Sequence, residues 1–357
     1  MNVAVEETAS IKEKRETPFF KEELEPIEVR NLKTISELLS EMAKTGFQGK
    51  KLGEVAEVWE MMLKERKLTI ILGFAGSMST TGQWKIVNWL IENHFVDVLV
   101  STGANISEDI LAAMGGTYWQ GSHMVDDNKL LKHKIDRFYD VFSDEMEYRQ
   151  MEKLIADFMK KLERDHKYSS AEFLHLFGKE LSDLGIRSIV ATAFEAKVPV
   201  FCPAIVDSAY GIAYLLNRKI VEDFEISVDQ MKDFEQLVEV KSEAENTGAI
   251  FIGGGVPKDF IQLITVTRSL TASRKYERSY PHKYAIQITT DSPQWGGLSG
   301  CTFEEAISWG KESKDGNNVQ CYCDATIALP IVVHALAERI KRRESYPDLS
   351  WLFKGLR

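Results

Sequence analysis

Cysteine is scarce in this chain. There are four in 357 residues, Cys202, Cys301, Cys321 and Cys323, and no C-x-x-C pair among them. That excludes a thiolate-rich zinc site and a disulfide framework, and points to buried free thiols in a reducing compartment. The seven histidines are scattered without an H-x-x-x-H pair, so no metal site is expected. No run of 18 apolar residues occurs, and the opening MNVAVEETASIKEKRETPFF lacks the apolar core of a secretion signal; the expected location is the cytoplasm, away from membranes. Basic charge is also in deficit. A net charge of −10 and a pI near 5.4 argue against nucleic acid or an anionic membrane as partner, while leaving room for cationic small molecules. The two commonest phosphate-binding fingerprints, G-x-G-x-x-G and G-x-x-x-x-G-K-[ST], are absent.

What is present is a repeating plan of short apolar runs ending in small polar turns. Residues 1–30 are charge-rich and read as an N-terminal arm, with a short helix around Phe19-Phe20. The remainder, 31–357, reads as a single domain. Apolar residues at helical spacing (Leu38, Leu39, Met42, then Val55, Val58, Met61, Met62) predict two helices between Asn31 and Arg66. Strand-then-turn units follow at 68–82, 96–105, 199–211, 248–264, 284–292 and 319–340, the second leading into a helix capped by Ser107. The charged stretch 125–185 reads as a helical layer. Continuous β-branched runs joined to helices predict an α/β fold, with one large, doubly wound, mostly parallel sheet and helical additions.

In such sheets ligands bind beyond the carboxyl ends of the strands. Here those ends carry Gly76, Ser77 and Thr80; Thr102 and Gly103; Asp207; Gly254; Thr290 and Asp291; and Asp324 and Ala325. Glycines admit a ligand to the backbone, hydroxyls and helix N-termini bind phosphate, and Asp207 or Asp324 can accept from ribose hydroxyls. One turn of this kind means only that small polar residues make good turns. Six on one sheet edge point to a nucleotide crevice.

The segment SGCTFEEAISWGKESKDGNN, 299–318, places a lysine directly after a tryptophan and a glycine. Thr302 and Glu305 form a capping-box pattern, so a helix should begin at Phe303 and stop at Gly310, with SKDGNN as a loop before a strand from Val319 to Tyr322. Lys311 then has two readings. It is a solvated cation at a helix C-terminus, or an amine desolvated by aromatic walls and so made nucleophilic. Trp295, Trp309 and Glu305, with Gly296-Gly297 admitting a chain to the backbone, would suit an aliphatic amine.

In chain order, GSMSTTG, VDVLVSTGANISEDI, VPVFCPAIVDSAYG, GGGVPKDF, YAIQITT, EEAISWGK and CDATIALPIVV resemble the deoxyhypusine synthase family, together with homospermidine synthases and bacterial deoxyhypusine synthase-like proteins. The likeness covers roughly residues 60–340 and leans to the deoxyhypusine synthase-like branch. It implies a homotetrameric transferase with sites at dimer interfaces. In that family spermidine is oxidised with NAD, its aminobutyl group is captured as an imine on a lysine, and the group passes to an acceptor amine. The resemblance puts Lys311 at the lysine position, Glu305 and Trp309 among pocket residues, Glu108 at the pocket mouth, and the six turns against NAD. It also shows departures. Ser107 replaces one acid of a Glu-Glu pair, Ile212 and Leu298 replace acids, and Asp259 replaces a histidine. Three functions follow as candidates: transfer to a free diamine, giving a homospermidine-type product; transfer to a lysine of a translation factor; or NAD and polyamine binding without catalysis, against which the retained lysine speaks.

Overall fold

The computed structural model describes residues 23–272 and 279–356. Six strands form one parallel sheet: β1 (Leu68–Phe74), β2 (Val98–Ser101), β3 (Val200–Phe201), β4 (Asn246–Ile252), β5 (His282–Thr289) and β6 (Glu312–Tyr322). Their order across the sheet is β6-β5-β4-β1-β2-β3, so the winding reverses between β1 and β4. That is the order of a doubly wound dinucleotide-type sheet, and its crevice lies where the order reverses.

Alternation along the strands explains the two-sided cover. Leu68, Ile70, Leu72 and Phe74 of β1 join one buried cluster with Ile250, Ile252, Ile286 and Ile288. Ile71, Ala249, Phe251 and Ala285 point the other way into a second. The first face carries the helices Phe47–Lys64, Trp84–Glu92 and Ala325–Arg339; the second carries Gln230–Glu243 and Gly255–Ala272. Both faces are dry, as continuous apolar strands require. The two N-terminal helices, Ile35–Ala43 and Phe47–Lys64, form as the spacing predicts.

Four local expectations are corrected. The helix after β2 starts at Asn105 with Ala104 as N-cap, so Ser107 lies inside the first turn and donates back to the Gly103 carbonyl at 2.9 Å. The SKDGNN stretch is strand, because β6 runs unbroken from Glu312. As an edge strand it has exposed polar positions, and a register shift against β5 between His282 and Tyr284 takes up the extra residues. The 125–185 region is not purely helical. Ile135–Phe138 and Val141–Asp144 pair antiparallel, with Trp119–Gln120 alongside. These strands are two to four residues long and mostly part-exposed on both faces, so they carry no hydrophobic alternation to read. Finally, the thiols are buried only at Cys202 and Cys321; Cys301 and Cys323, the latter just beyond the end of β6, are half-buried. The helix expected around Phe19-Phe20 lies outside the described residues, and no helix among the described residues is long and apolar enough to cross a membrane.

One ion pair locks the amino edge of the sheet. Arg343, fully buried, holds both carboxylate oxygens of Asp97 at 2.8 and 2.9 Å and donates to the Leu68 carbonyl, while Asp97 accepts from the Ile70 N–H at 2.7 Å. Removing one partner strands the other's charge in the interior. Arg343→Leu is therefore expected to cost about 3–5 kcal/mol, read as a lowered urea midpoint; an unchanged midpoint would show that the pair holds nothing.

Candidate functional site

The registers align the carboxyl ends of five strands. Phe74 sits beside Ser101 on one side and Ile252 on the other, Ile252 beside Ile288, and Thr289 beside Tyr322. The turns that begin at Ala75, Thr102, Gly253, Thr290 and Cys323 consequently share one edge, and the Asp207-Ser208 turn adjoins them through Gly103. A Cβ on Gly103 would meet the Ser208 Oγ at 2.4 Å, so only glycine lets the two turns touch.

One residue organises the central turn, and sequence reading did not single it out. Asn105 is fully buried. Its Oδ1 accepts from the Met78 and Ser79 N–H groups at 2.7 and 3.3 Å. Its Nδ2 donates to the carbonyls of Phe74 and Ala75 and to the Thr102 Oγ1 at 3.1–3.3 Å. Thr102 in turn donates to the Gly76 carbonyl at 2.7 Å, and the buried Thr80 donates to the Ser77 carbonyl at 3.0 Å. Gly76 has φ +77° and open space where a side chain would be, so its backbone is free to meet a ligand. The helix opens Asn105-Ile106-Ser107-Glu108-Asp109, polar at four of five positions, so nothing local sets Asn105 apart.

Glu108 belongs to this turn. It is 8% exposed, and the Ser77 Oγ donates to its Oε2 at 2.6 Å. Burial, opposed only by that one hydrogen bond, pushes its carboxyl up to about 7. The other predicted edge residues are more open. Asp207, Thr290 and Asp324 are exposed; Asp324 caps the helix Ala325–Arg339 by accepting from Thr326 at 2.7 Å. Asp291 is engaged by the Ser299 N–H at 2.6 Å. The open side of Gly254 is taken by the chain itself, since a Cβ there would lie 2.4 Å from the Ser299 carbonyl oxygen.

Lys311 lies elsewhere. The helix Phe303–Ser308 forms as predicted, with Thr302 accepting from the Glu305 N–H at 3.1 Å, although the Glu305 carboxylate side is exposed and makes no return bond among the described residues. Trp309 is the C-cap, and Gly310 takes φ +71°. Lys311 then enters β6 from its amino end, its carbonyl accepting from the His282 N–H at 2.9 Å. Because β5 runs from His282 to Thr289, seven steps of about 3.3 Å set the Lys311 backbone ~23 Å below the edge that carries the turns. Lys311 is half-buried, its Nζ 5.7 Å from the centre of the Trp309 ring and within electrostatic reach of Lys258 and Cys301. The structure thus gathers Lys311, Trp309 and Cys301 at one place, and Gly76, Ser77, Thr102, Gly103 and Glu108 at another. Trp309 is 64% exposed, Trp295 78% and Leu298 86%, so the expected aromatic walls stand open. Gly296 and Gly297, at φ +92° and +64°, shape the loop that presents Trp295 and Leu298. Asp259 is exposed on the helix Gly255–Ala272.

Comparison with known proteins bears on most of the chain. The deoxyhypusine synthase family model matches residues 37–336. A Methanosarcina mazei protein named probable deoxyhypusine synthase 2 is 43% identical over 330 residues, covering 91% of this chain and 93% of its own. The Archaeoglobus fulgidus protein of the same name is 47% identical over 315 residues, 88% of this chain and 100% of its own. A deoxyhypusine synthase-like protein from Chlorobaculum tepidum is 37% identical over 317 residues, 88% and 89% respectively. Among solved structures, one from Entamoeba histolytica named for the same family has a TM-score of 0.59 at 19% identity, covering 90% of this chain and 99% of that one, a likeness of fold. Sheet order, edge turns and the tryptophan-flanked lysine all occur inside the matched span, and the chain belongs to the deoxyhypusine synthase family, a family of transferases.

Proposed function

We propose that this protein transfers an aminobutyl group from spermidine or a related polyamine, through an imine on Lys311, to an acceptor amine, with NAD as cofactor. The observation that carries the reading is Lys311 itself, retained inside the matched family span with its ammonium against Trp309. The carboxyl edge fits a dinucleotide: open backbone at Gly76, hydroxyls on Ser77 and Thr102, and the helix Asn105–Ala113 starting there. Asp207 follows β3 and Asp324 follows β6, the two outer strands of the sheet, so they would serve different parts of an extended ligand. Bound NAD would supply the oxidising and later the reducing equivalent for the carbon next to the amine nitrogen. The Lys311 amine adds to that carbon, the secondary nitrogen leaves as 1,3-diaminopropane, and the four-carbon amine stays on Lys311 until the acceptor amine displaces it. Trp309 faces the cation, and Glu305 and Glu108 offer carboxylates to ammonium ends.

The separation of Lys311 from the turns within one chain supports a site completed by a second copy. The exposed Trp295, Leu298 and Trp309 would then be covered in a homotetramer. Residues 31–357 act as one catalytic domain, with 1–30 as an arm, and four free cysteines suit a cytoplasmic setting. For the acceptor, the apolar Ile212 and Leu298 at positions of family acids favour a small free diamine such as putrescine. A lysine of a translation factor is the second reading, supported by the 43–47% identity to proteins named probable deoxyhypusine synthase 2.

With NAD and spermidine, release of 1,3-diaminopropane and a borohydride-trapped aminobutyl adduct on Lys311 are expected, both lost in Lys311→Ala. Adding putrescine should yield homospermidine. NAD binding with neither release nor adduct would sink the transferase reading, and release with a protein but no diamine acceptor would select the second. Glu108 gives a pH prediction. Its folded-state value of about 7 lies above the ordinary carboxyl value of 4.5, so the folded protein holds a proton that the unfolded chain releases. The contribution to stability is complete below about pH 4.5 and lost as pH rises through 7. Glu108→Gln should therefore lose less stability than the wild type between pH 5 and pH 8; parallel denaturation curves would refute the assignment.

A further inference from the structure

The helix Gly255–Ala272 sends two side chains, one turn apart, into the connection between β5 and β6. Lys258 is fully buried, and its Nζ donates to the Gln287 Oε1 at 2.9 Å, the Ser299 carbonyl at 3.2 Å and the Cys301 carbonyl at 2.7 Å. Three acceptors meet three N–H donors, an arrangement that only the ammonium form satisfies. The rings of Phe251 and Phe303 lie 5.7 and 5.5 Å from the same nitrogen. One turn further on, the buried Gln262 donates from Nε2 to the Glu312 Oε1 at 2.7 Å. Glu312 is 2% exposed, and its Oε2 has no partner among the described residues. From the sheet, Gln320 donates to the Gln287 Oε1 at 2.7 Å and accepts from the Phe303 N–H at 3.1 Å.

These bonds grip the segment 299–312 at its two ends, and that segment carries Glu305, Trp309 and Lys311. Between the anchors the chain is held by the buried Phe303 and Ala306 and by the His282 N–H donated to the Lys311 carbonyl. The helix Phe303–Ser308 is six residues long, too short to be stable alone, and Glu304, Glu305, Ser308 and Trp309 are exposed. The anchors therefore add to these contacts in fixing where Lys311 stands. We propose that Lys258 and Glu312 are positioning residues for the transfer reaction, two buried tethers that fix the segment bearing the carrier lysine. The proposal rests on the reading of Lys311 given above.

Lys258→Met keeps the side chain's length but removes the charged donor that ties Gln287, Ser299 and Cys301 together, leaving those acceptors only the amide bonds from Gln320 and Gln287. Glu312→Leu removes the lower tether, whereas Glu312→Gln keeps an acceptor for Gln262. Two readouts separate the issues: the rate of borohydride-trappable adduct at Lys311 with NAD and spermidine, and amide hydrogen exchange of peptides from 299–312 compared with peptides from 68–80. Since a misplacement of about 1 Å can cost ~100-fold in rate, Lys258→Met should slow adduct formation on that order. Exchange should rise in 299–312 alone, and NAD binding should be retained. Glu312→Gln should recover most of the rate that Glu312→Leu loses. Folded variants with wild-type adduct rates, or with unchanged exchange across 299–312, would overturn the proposal. If Lys258→Met does not fold, the Glu312 pair decides it. A wild-type protein that forms no adduct would overturn the transfer reading instead, and exchange would then judge the tethers by itself.

Discussion

A parallel strand can be entered only from its amino end, and most of this structure follows from that constraint. Each connection must return the length of the sheet, so every strand ends at one edge and every crossover finishes at the other. The glycine and hydroxyl turns collect at the first edge, where Phe74, Ser101, Ile252, Ile288 and Tyr322 come level. Lys311, the last residue before β6, is carried to the second. Within the chain the β5–β6 ladder holds the Lys311 backbone and the turns at opposite ends of the strands. The chemistry proposed for Lys311 is thus a demand on assembly as much as on the fold, and the apolar surface around Trp295, Leu298 and Trp309 lies on the chain segment that would have to meet a neighbour.

The buried charges show which effect wins at each point. Taking an ion out of water costs several kcal/mol, and only several good hydrogen bonds or a counter-ion offset it. Asp97 has one arginine nitrogen on both oxygens and a backbone N–H, which leave burial still pushing its carboxyl up to about 6. Lys258 has three acceptors, although burial draws its ammonium down. Glu108 has one serine hydroxyl, too little to offset its burial, and it stays protonated to near neutral pH. The first two are structural fixtures. Glu108 sits buried beside Ser77 in the crevice turn, where an incoming ammonium group would supply the charge its surroundings lack.

How much of this was legible depended on pattern length. Long apolar runs such as Leu68–Phe74 and Asn246–Ile252 announced the parallel sheet, and the Thr302 cap announced the helix before Lys311. The short antiparallel strands near Val141 did not, because two to four part-exposed residues have no period. SKDGNN looked like a loop because an edge strand with one open side tolerates loop-forming residues. The site residues that escaped notice, Asn105, Lys258 and Glu312, share one trait. Each is a polar residue whose partners, Thr102 beside Asn105 excepted, lie at least 25 positions away, and local spacing carries no trace of such contacts. Lys258 did leave a faint mark, since a cation in the first turn of a helix opposes the dipole and needs a tertiary reason.

The departures from the family pattern can be weighed with the same arithmetic. Of four positions where the resemblance expects an acid or a histidine to face an amine, two are apolar and open, Ile212 at 43% exposure and Leu298 at 86%. A third, Ser107, is buried and bonded to its own helix. The fourth, Asp259, adds a carboxylate on the exposed face of the helix that bears Lys258. An ammonium enclosed against Ile212 or Leu298 would lose its hydration with nothing in exchange, a penalty large enough to exclude it. An amine held in this site should therefore place a methylene chain there and its charge toward Asp259, Glu305 or Glu108, which ties substrate choice to the spacing between charges rather than to their number.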